Sequence, residues 1–109
     1  MSQAPGGVSV GVHPAGVTVT VFGDLDLAGA QRVLDRALPY LDRDIGLDLT
    51  IDLTGVEFCD SSGISALVAL RKRCDERSWR LRTINMQPPV YRIVVDFVGL
   101  GDLLNVPDE

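Results

Sequence analysis

The stretch Asp52–Arg73, "DLTGVEFCDSSGISALVALRKR", decides how the chain is read. Its first residues continue "GLDLTIDLTGV" (residues 46–56), where Leu47, Leu49, Ile51 and Leu53 alternate with Asp48, Thr50 and Asp52. Period-two alternation is a strand with one apolar and one polar face. The run from Ser62 to Arg77 has the length and composition of a helix, and Ile64 to Leu70 is apolar on nearly every side, as in a deeply buried helix. Between strand and helix lie Asp60, Ser61, Ser62 and Gly63. Three readings fit that corner: a helix cap, a nucleophile, or a phosphate acceptor.

Working outward, "VSVGVHPAGVTVTVF" (residues 8–22) places Val8, Val10 and Val12, then Val17, Val19 and Val21, on alternate positions around Pro14-Ala15-Gly16. That pattern is a β-hairpin with its valines toward the core. "GDLDLAGAQRVLDRALPYL" changes period. Leu27, Ala30, Val33, Leu34, Ala37, Leu38 and Leu41 fall at offsets of three and four and form the core stripe of an amphipathic helix. Asp26 is placed to cap it, and Pro39 to distort or end its last turn. "WRLRTIN" (residues 79–85) is a short strand with Trp79, Leu81 and Thr83 on one face. "PPVYRIVVDFVGLGDLL" (residues 88–104) has β-branched content but reads as a helix, because Pro88-Pro89 opens it, Gly99 closes it, and Val90, Ile93, Val94 and Phe97 have helical spacing. "DLLNV" is expected to add a last short strand or a turn.

The order β-β-α-β-α-β-α predicts an α/β single domain. It has a mixed four- to five-stranded sheet with helices mainly on one face. Residues 1–7, with Pro5, Gly6 and Gly7, are expected to be a flexible N-terminal tail ahead of a domain over 8–109.

The chain has 109 residues, 46% hydrophobic and 23% charged, which is ordinary for a globular domain. A net charge of -5 is the opposite of a phosphate-backbone footprint, so nucleic acid and anionic membrane surfaces are excluded as expected partners. No apolar run approaches a membrane span, and the start lacks a signal-peptide pattern, so a cytoplasmic location is expected. Cys59 and Cys74 have no metal-site spacing and read as reduced packing residues. No metal or other cofactor is expected. A serine nucleophile needs a base within reach, and His13, the single histidine, falls at the hairpin turn. With no Gly-x-Ser-x-Gly elbow and no Gly-rich phosphate loop, neither an enzyme nor a nucleotide-binding site is expected. A serine at a helix start, in contrast, sits where amides and the helix dipole favour an anion.

"IDLTGVEFCDSSGISALVAL" (residues 51–70) resembles the central motif of STAS domains, specifically of bacterial anti-sigma factor antagonists. "GDLDLAGA" (residues 23–30) resembles the family's Gly-Glu-Leu-Asp segment, with Asp24 where Glu is commoner. "PPVYRIVVDFVGLGDLLNV" (residues 88–106) is similar to its closing helix. The resemblance implies a STAS domain over 8–109 and a partner-switching function. The unphosphorylated antagonist binds an anti-sigma factor that is also a serine kinase, and so frees a sigma factor. Phosphorylation ends that complex and a serine phosphatase resets it. The resemblance makes Ser61 the phosphorylation site, with Asp24, Asp26, Asp60, Ser62, Gly63 and Ile64 as supporting or docking residues. Ser62 is left to cap the helix, and an exposed apolar patch is expected from the Ile64–Leu70 helix. The alternative implied by the same family is a STAS scaffold subunit of a lipid-transport or stressosome-like assembly, without a phosphorylation switch.

Overall fold

A computed structural model describes residues 6–107. The hairpin is present as β1 (Gly7–His13) and β2 (Gly16–Phe22), paired antiparallel from Gly7↔Phe22 to His13↔Gly16. Helix α1 (Leu27–Arg43) leads to β3 (Asp48–Gly55), and α2 (Ser61–Glu76) leads to β4 (Arg80–Ile84). β2, β3 and β4 are parallel neighbours, so the four strands lie in the order β1-β2-β3-β4. The tail assigned to residues 1–7 falls mostly on residues 1–5, outside those described, and Gly7 already belongs to β1.

One face of this sheet carries the core. Val17, Val19 and Val21 of β2, Leu49, Ile51 and Leu53 of β3, and Leu81 of β4 are buried with Val33, Ala37 and Leu41 of α1 and Leu67, Leu70 and Cys74 of α2. The period-two and period-3.6 patterns therefore meet across a single layer boundary, as a mixed sheet with one covered face requires. On the opposite face, Thr18, Thr20, Thr50 and Asp52 are half-buried and Arg80 and Arg82 exposed.

The predicted core stripe of α1 needs one correction. Leu27 is 66% exposed: it is the first helical residue, ahead of the turns whose Ala30, Val33, Ala37 and Leu41 reach the core. Pro39 sits inside α1 without ending it, and the helix runs on to Arg43. The end of α1 is held from outside. Arg77 donates to the carbonyls of Leu41, Asp42 and Asp44, and the Trp79 indole donates to Asp44 at 2.8 Å. Carbonyls that a helix C-terminus leaves unpaired are satisfied this way by the α2–β4 connection.

The last helix begins as α3 (Pro88–Tyr91) and widens into a π-helical turn over Arg92–Phe97, closed by Val98 N–H to the Ile93 carbonyl at 2.9 Å. Val90, Val94 and Leu104 reach the core. Residues 101–105 form a turn rather than a fifth strand; Asn105 takes a left-handed φ of 52° and its side chain donates to the Leu81 carbonyl at 2.7 Å.

Candidate functional site

β2 and β3 run parallel and end side by side, so the loops that follow them leave the sheet together. Backbone bonds join them: Gly23 N–H to the Gly55 carbonyl at 3.1 Å, Leu25 N–H to Phe58 at 2.9 Å, and Asp60 N–H to Leu25 at 3.3 Å. Leu25 and Cys59 form an isolated parallel bridge, and both are buried. The bridge turns these two inward, and the residues flanking them, Asp24, Asp26, Phe58 and Asp60, all keep some exposure. The structure thus brings the acids of the "GDLD" segment to the "CDSSG" corner.

Each loop hands over to a helix through an aspartate. Asp26 caps α1 by accepting from Gly29 N–H at 3.0 Å. Asp60, in extended backbone, caps α2 by accepting from Ser62 N–H at 2.9 Å and Gly63 N–H at 3.3 Å. This corrects the capping role expected of Ser62, which is the second residue inside the helix. Glycine is required where the helices press on these loops. A Cβ on Gly63 would stand 2.2 Å from the Leu25 carbonyl oxygen, and one on Gly29 would stand 2.2 Å from that of Asp24.

Ser61 opens α2 and is exposed, and its hydroxyl bonds to no other described residue. Ser62 is half-buried beside it. Asp24, Asp26, Glu57 and Asp60 surround the corner, and none of them forms an ion pair among the described residues. Large apolar side chains face solvent at and beside these loops: Phe22, the last residue of β2, is 45% exposed, Leu27, the first of α1, 66%, and Phe58, in the loop after β3, 48%. The apolar patch was expected on α2 instead. There Ala66, Leu67 and Leu70 are buried and Ile64 and Val68 only half-exposed, because the sheet and α1 cover the helix. Phe58 was missed because one apolar residue in a loop carries no periodicity.

Cys59 lies under the helix start, its thiol pushed up to about 11 by burial and then by the Asp60 carboxylate. A thiol held protonated is a packing group, not a nucleophile. His13 pairs with Gly16 at the far end of β2 from Phe22, about 20 Å away at strand rise, and its ring lies 3.2 Å from the Thr18 hydroxyl. No imidazole can serve Ser61 as a base. No helix among the described residues is long and apolar enough to cross a membrane, and no group of three or more His, Cys, Asp or Glu among them is placed to hold a metal ion.

Known proteins share this fold. The anti-sigma-B factor antagonist of Bacillus subtilis (strain 168) is 26% identical over 90 residues, 83% of this chain and 80% of that protein. The crystal structure of an anti-sigma factor antagonist from Mycobacterium paratuberculosis superposes with a TM-score of 0.79 at 21% identity, over 96% of this chain and 87% of that one. The anti-sigma factor antagonist SpoIIAA in its unphosphorylated form gives a TM-score of 0.75 at 20% identity, over 94% and 89% of the two chains. The family model described as "Mlab, STAS domain" matches residues 8–105, nearly all of the described chain, and the protein therefore belongs to the STAS domain family.

Proposed function

We propose that this protein is an anti-sigma factor antagonist whose docking surface is the corner between β3 and α2, switched by phosphorylation of Ser61. The observation that carries the reading is the exposed Ser61 hydroxyl, without a partner among the described residues, at a corner of two interlocked loops that also holds four acids and the exposed side chains of Phe22, Leu27 and Phe58. The names of its relatives supply the class of partner. The unphosphorylated protein lays Phe22, Leu27 and Phe58 against an anti-sigma factor, with Asp24, Asp26, Glu57 and Asp60 facing its cations. That partner is also the kinase: it transfers the γ-phosphoryl group of ATP to the Ser61 oxygen, the bond from Pγ to the β,γ-bridging oxygen breaks so that ADP leaves, and the hydroxyl proton goes to a base on the kinase. The phosphoryl group adds about -1.5 to -2 charges to a corner that already holds four carboxylates. A complex that buries this corner is then released, and a serine phosphatase restores it. Such traffic places the protein in the cytoplasm.

Phosphorylation with candidate anti-sigma kinases and ATP, mapped by mass spectrometry, tests the acceptor; phosphate on Ser62 and not on Ser61 overturns the assignment. Ser61→Ala is expected to bind the partner and resist phosphorylation. Ser61→Asp is expected to bind more weakly by about 2–5 kcal/mol, the range for a charge set uncompensated in an interface. Equal affinity of the two variants would favour the scaffold reading, in which Ser61 carries no switch.

A further inference from the structure

The two edges of the sheet are protected differently. An edge strand exposes a row of unpaired N–H and C=O groups, which folded proteins guard with charge, proline, bulges or cover. β4 has such guards. Arg80 and Arg82 are exposed on it, and the C-terminal turn closes on it through Asn105 to the Leu81 carbonyl at 2.7 Å. β1 has few. Its seven residues contain no Lys, Arg, Asp, Glu or Pro, and they pair with β2 without a register shift.

Alternate residues of an antiparallel strand turn their backbone groups away from the neighbour. The Val8 carbonyl accepts from Arg36 Nη1 at 3.1 Å, which places Val8, and by alternation Val10 and Val12, in the outward-facing set. That carbonyl keeps a second lone pair for another donor. Near the turn, Val12 is 67% exposed. Near the other end, a cleft of about 230 Å³ opens between β1 and α1, lined by Val8, Arg32, Asp35 and Arg36. A protruding valine and an open cleft thus lie two residues either side of Val10.

We propose that β1 pairs antiparallel with β1 of a second copy about a two-fold axis through Val10, joining two four-stranded sheets into one of eight. Val12 of each copy then stands opposite Val8 of the other and enters its cleft, and Ser9 stands opposite Gly11. The polar side of the strand admits this approach, since a Cβ placed on Gly7 or on Gly11 would meet nothing within 4 Å. The contact is isologous, so it closes as a dimer. One strand pair buries far less than the ~1,600 Å² of a standard interface, so the association is weak and concentration-dependent. Ser61, at the start of α2, lies outside the pairing.

Sedimentation velocity on the full chain over a wide concentration range is expected to show a mass rising from monomer toward dimer. Val12→Lys, which charges an exposed position, is expected to remain monomeric with an unchanged melting temperature. Mixed Ser9→Cys and Gly11→Cys proteins are expected to give a disulfide-linked dimer on mild oxidation, faster than either alone. Buried Cys59 and Cys74, with thiols pushed up to about 11, stay out of that exchange. A wild-type chain that is monomeric at every concentration overturns the proposal. So does a Val12→Lys protein that dimerises like wild type, or Ser9→Cys alone cross-linking as fast as the mixture.

Discussion

The cap of α2 can be tested by substitution without touching Ser61, the proposed phosphorylation site. Asp60→Ala removes a carboxylate that accepts from Ser62 N–H at 2.9 Å and Gly63 N–H at 3.3 Å. Losing an N-cap costs about 0.5–2 kcal/mol, and losing a negative charge at a helix start costs about 0.3–1 kcal/mol. The two effects overlap, so a total of ~1–2 kcal/mol is expected, or about 4–8 °C in Tm for a domain of this size. Asp60→Asn keeps an acceptor of equal capping strength and loses only the charge, at about 0.3–1 kcal/mol. Ser62→Ala removes a hydroxyl that bonds to no described residue, so its effect is expected within ~0.5 kcal/mol. Thermal melts by circular dichroism, with urea unfolding for the free energies, rank the three variants. If Ser62→Ala melts as low as Asp60→Ala, Asp60 is not the side chain that holds the start of α2.

Gly63→Ala would drive a Cβ to 2.2 Å from the Leu25 carbonyl; a loss of at least ~1–3 kcal/mol is expected, with faster amide exchange at Leu25 and Asp60, read by NMR. Leu27→Asp and Phe58→Asp alter exposed side chains, so they are expected to weaken binding to an anti-sigma factor in a calorimetric titration while leaving Tm within about 2 °C; unchanged affinity in both would remove the apolar half of the docking surface. The Cys59 and Cys74 thiols are raised from 9.0 to about 11 in the folded protein. Their contribution to stability is therefore complete below pH 9 and lost as pH rises toward 11. Urea midpoints across that window are expected to fall less steeply in Cys74→Ala, and native thiols to react slowly with a disulfide reagent at pH 8.

The alternations around Val19 and Ile51 and the helical spacing of Val33, Ala37 and Leu41 made the layers legible, because each residue faces one side of one element. What stayed hidden depends on residues distant in sequence. Leu27 fits the stripe of α1 by spacing, but as the first residue of the helix it is 66% exposed. Asp60, Ser61 and Ser62 are all competent caps by chemistry; the extended backbone of Asp60 makes it the cap. Gly63 reads as an easing of a tight corner, while its space is in fact taken by the Leu25 carbonyl from another loop. The π-helical turn over Arg92–Phe97 has no pattern that distinguishes it from an ordinary helix. Asn105, read as part of a strand or turn, is fixed by its bond to β4.

The cap also bears on how a charge at Ser61 would act. A helix start attracts anions through its free amides, and on that ground alone a phosphoryl group on Ser61 would fold back and be absorbed by α2. Asp60 already occupies Ser62 N–H and Gly63 N–H. A phosphoryl group must either displace that carboxylate, leaving it without partners beside a second anion, or remain turned outward. Displacement exchanges one anion for another at the same amides and adds repulsion, so the outward state is favoured. The charge is then displayed beside Phe58 and the acids of the neighbouring loop instead of being neutralised by the helix. A domain built this way changes its surface potential with little change in its fold, and the phosphorylated and unmodified proteins are expected to share their backbone amide shifts beyond the two loops and the first turn of α2. Widespread shift changes reaching β4 or the last helix would mean that the phosphate displaces Asp60 and remodels α2.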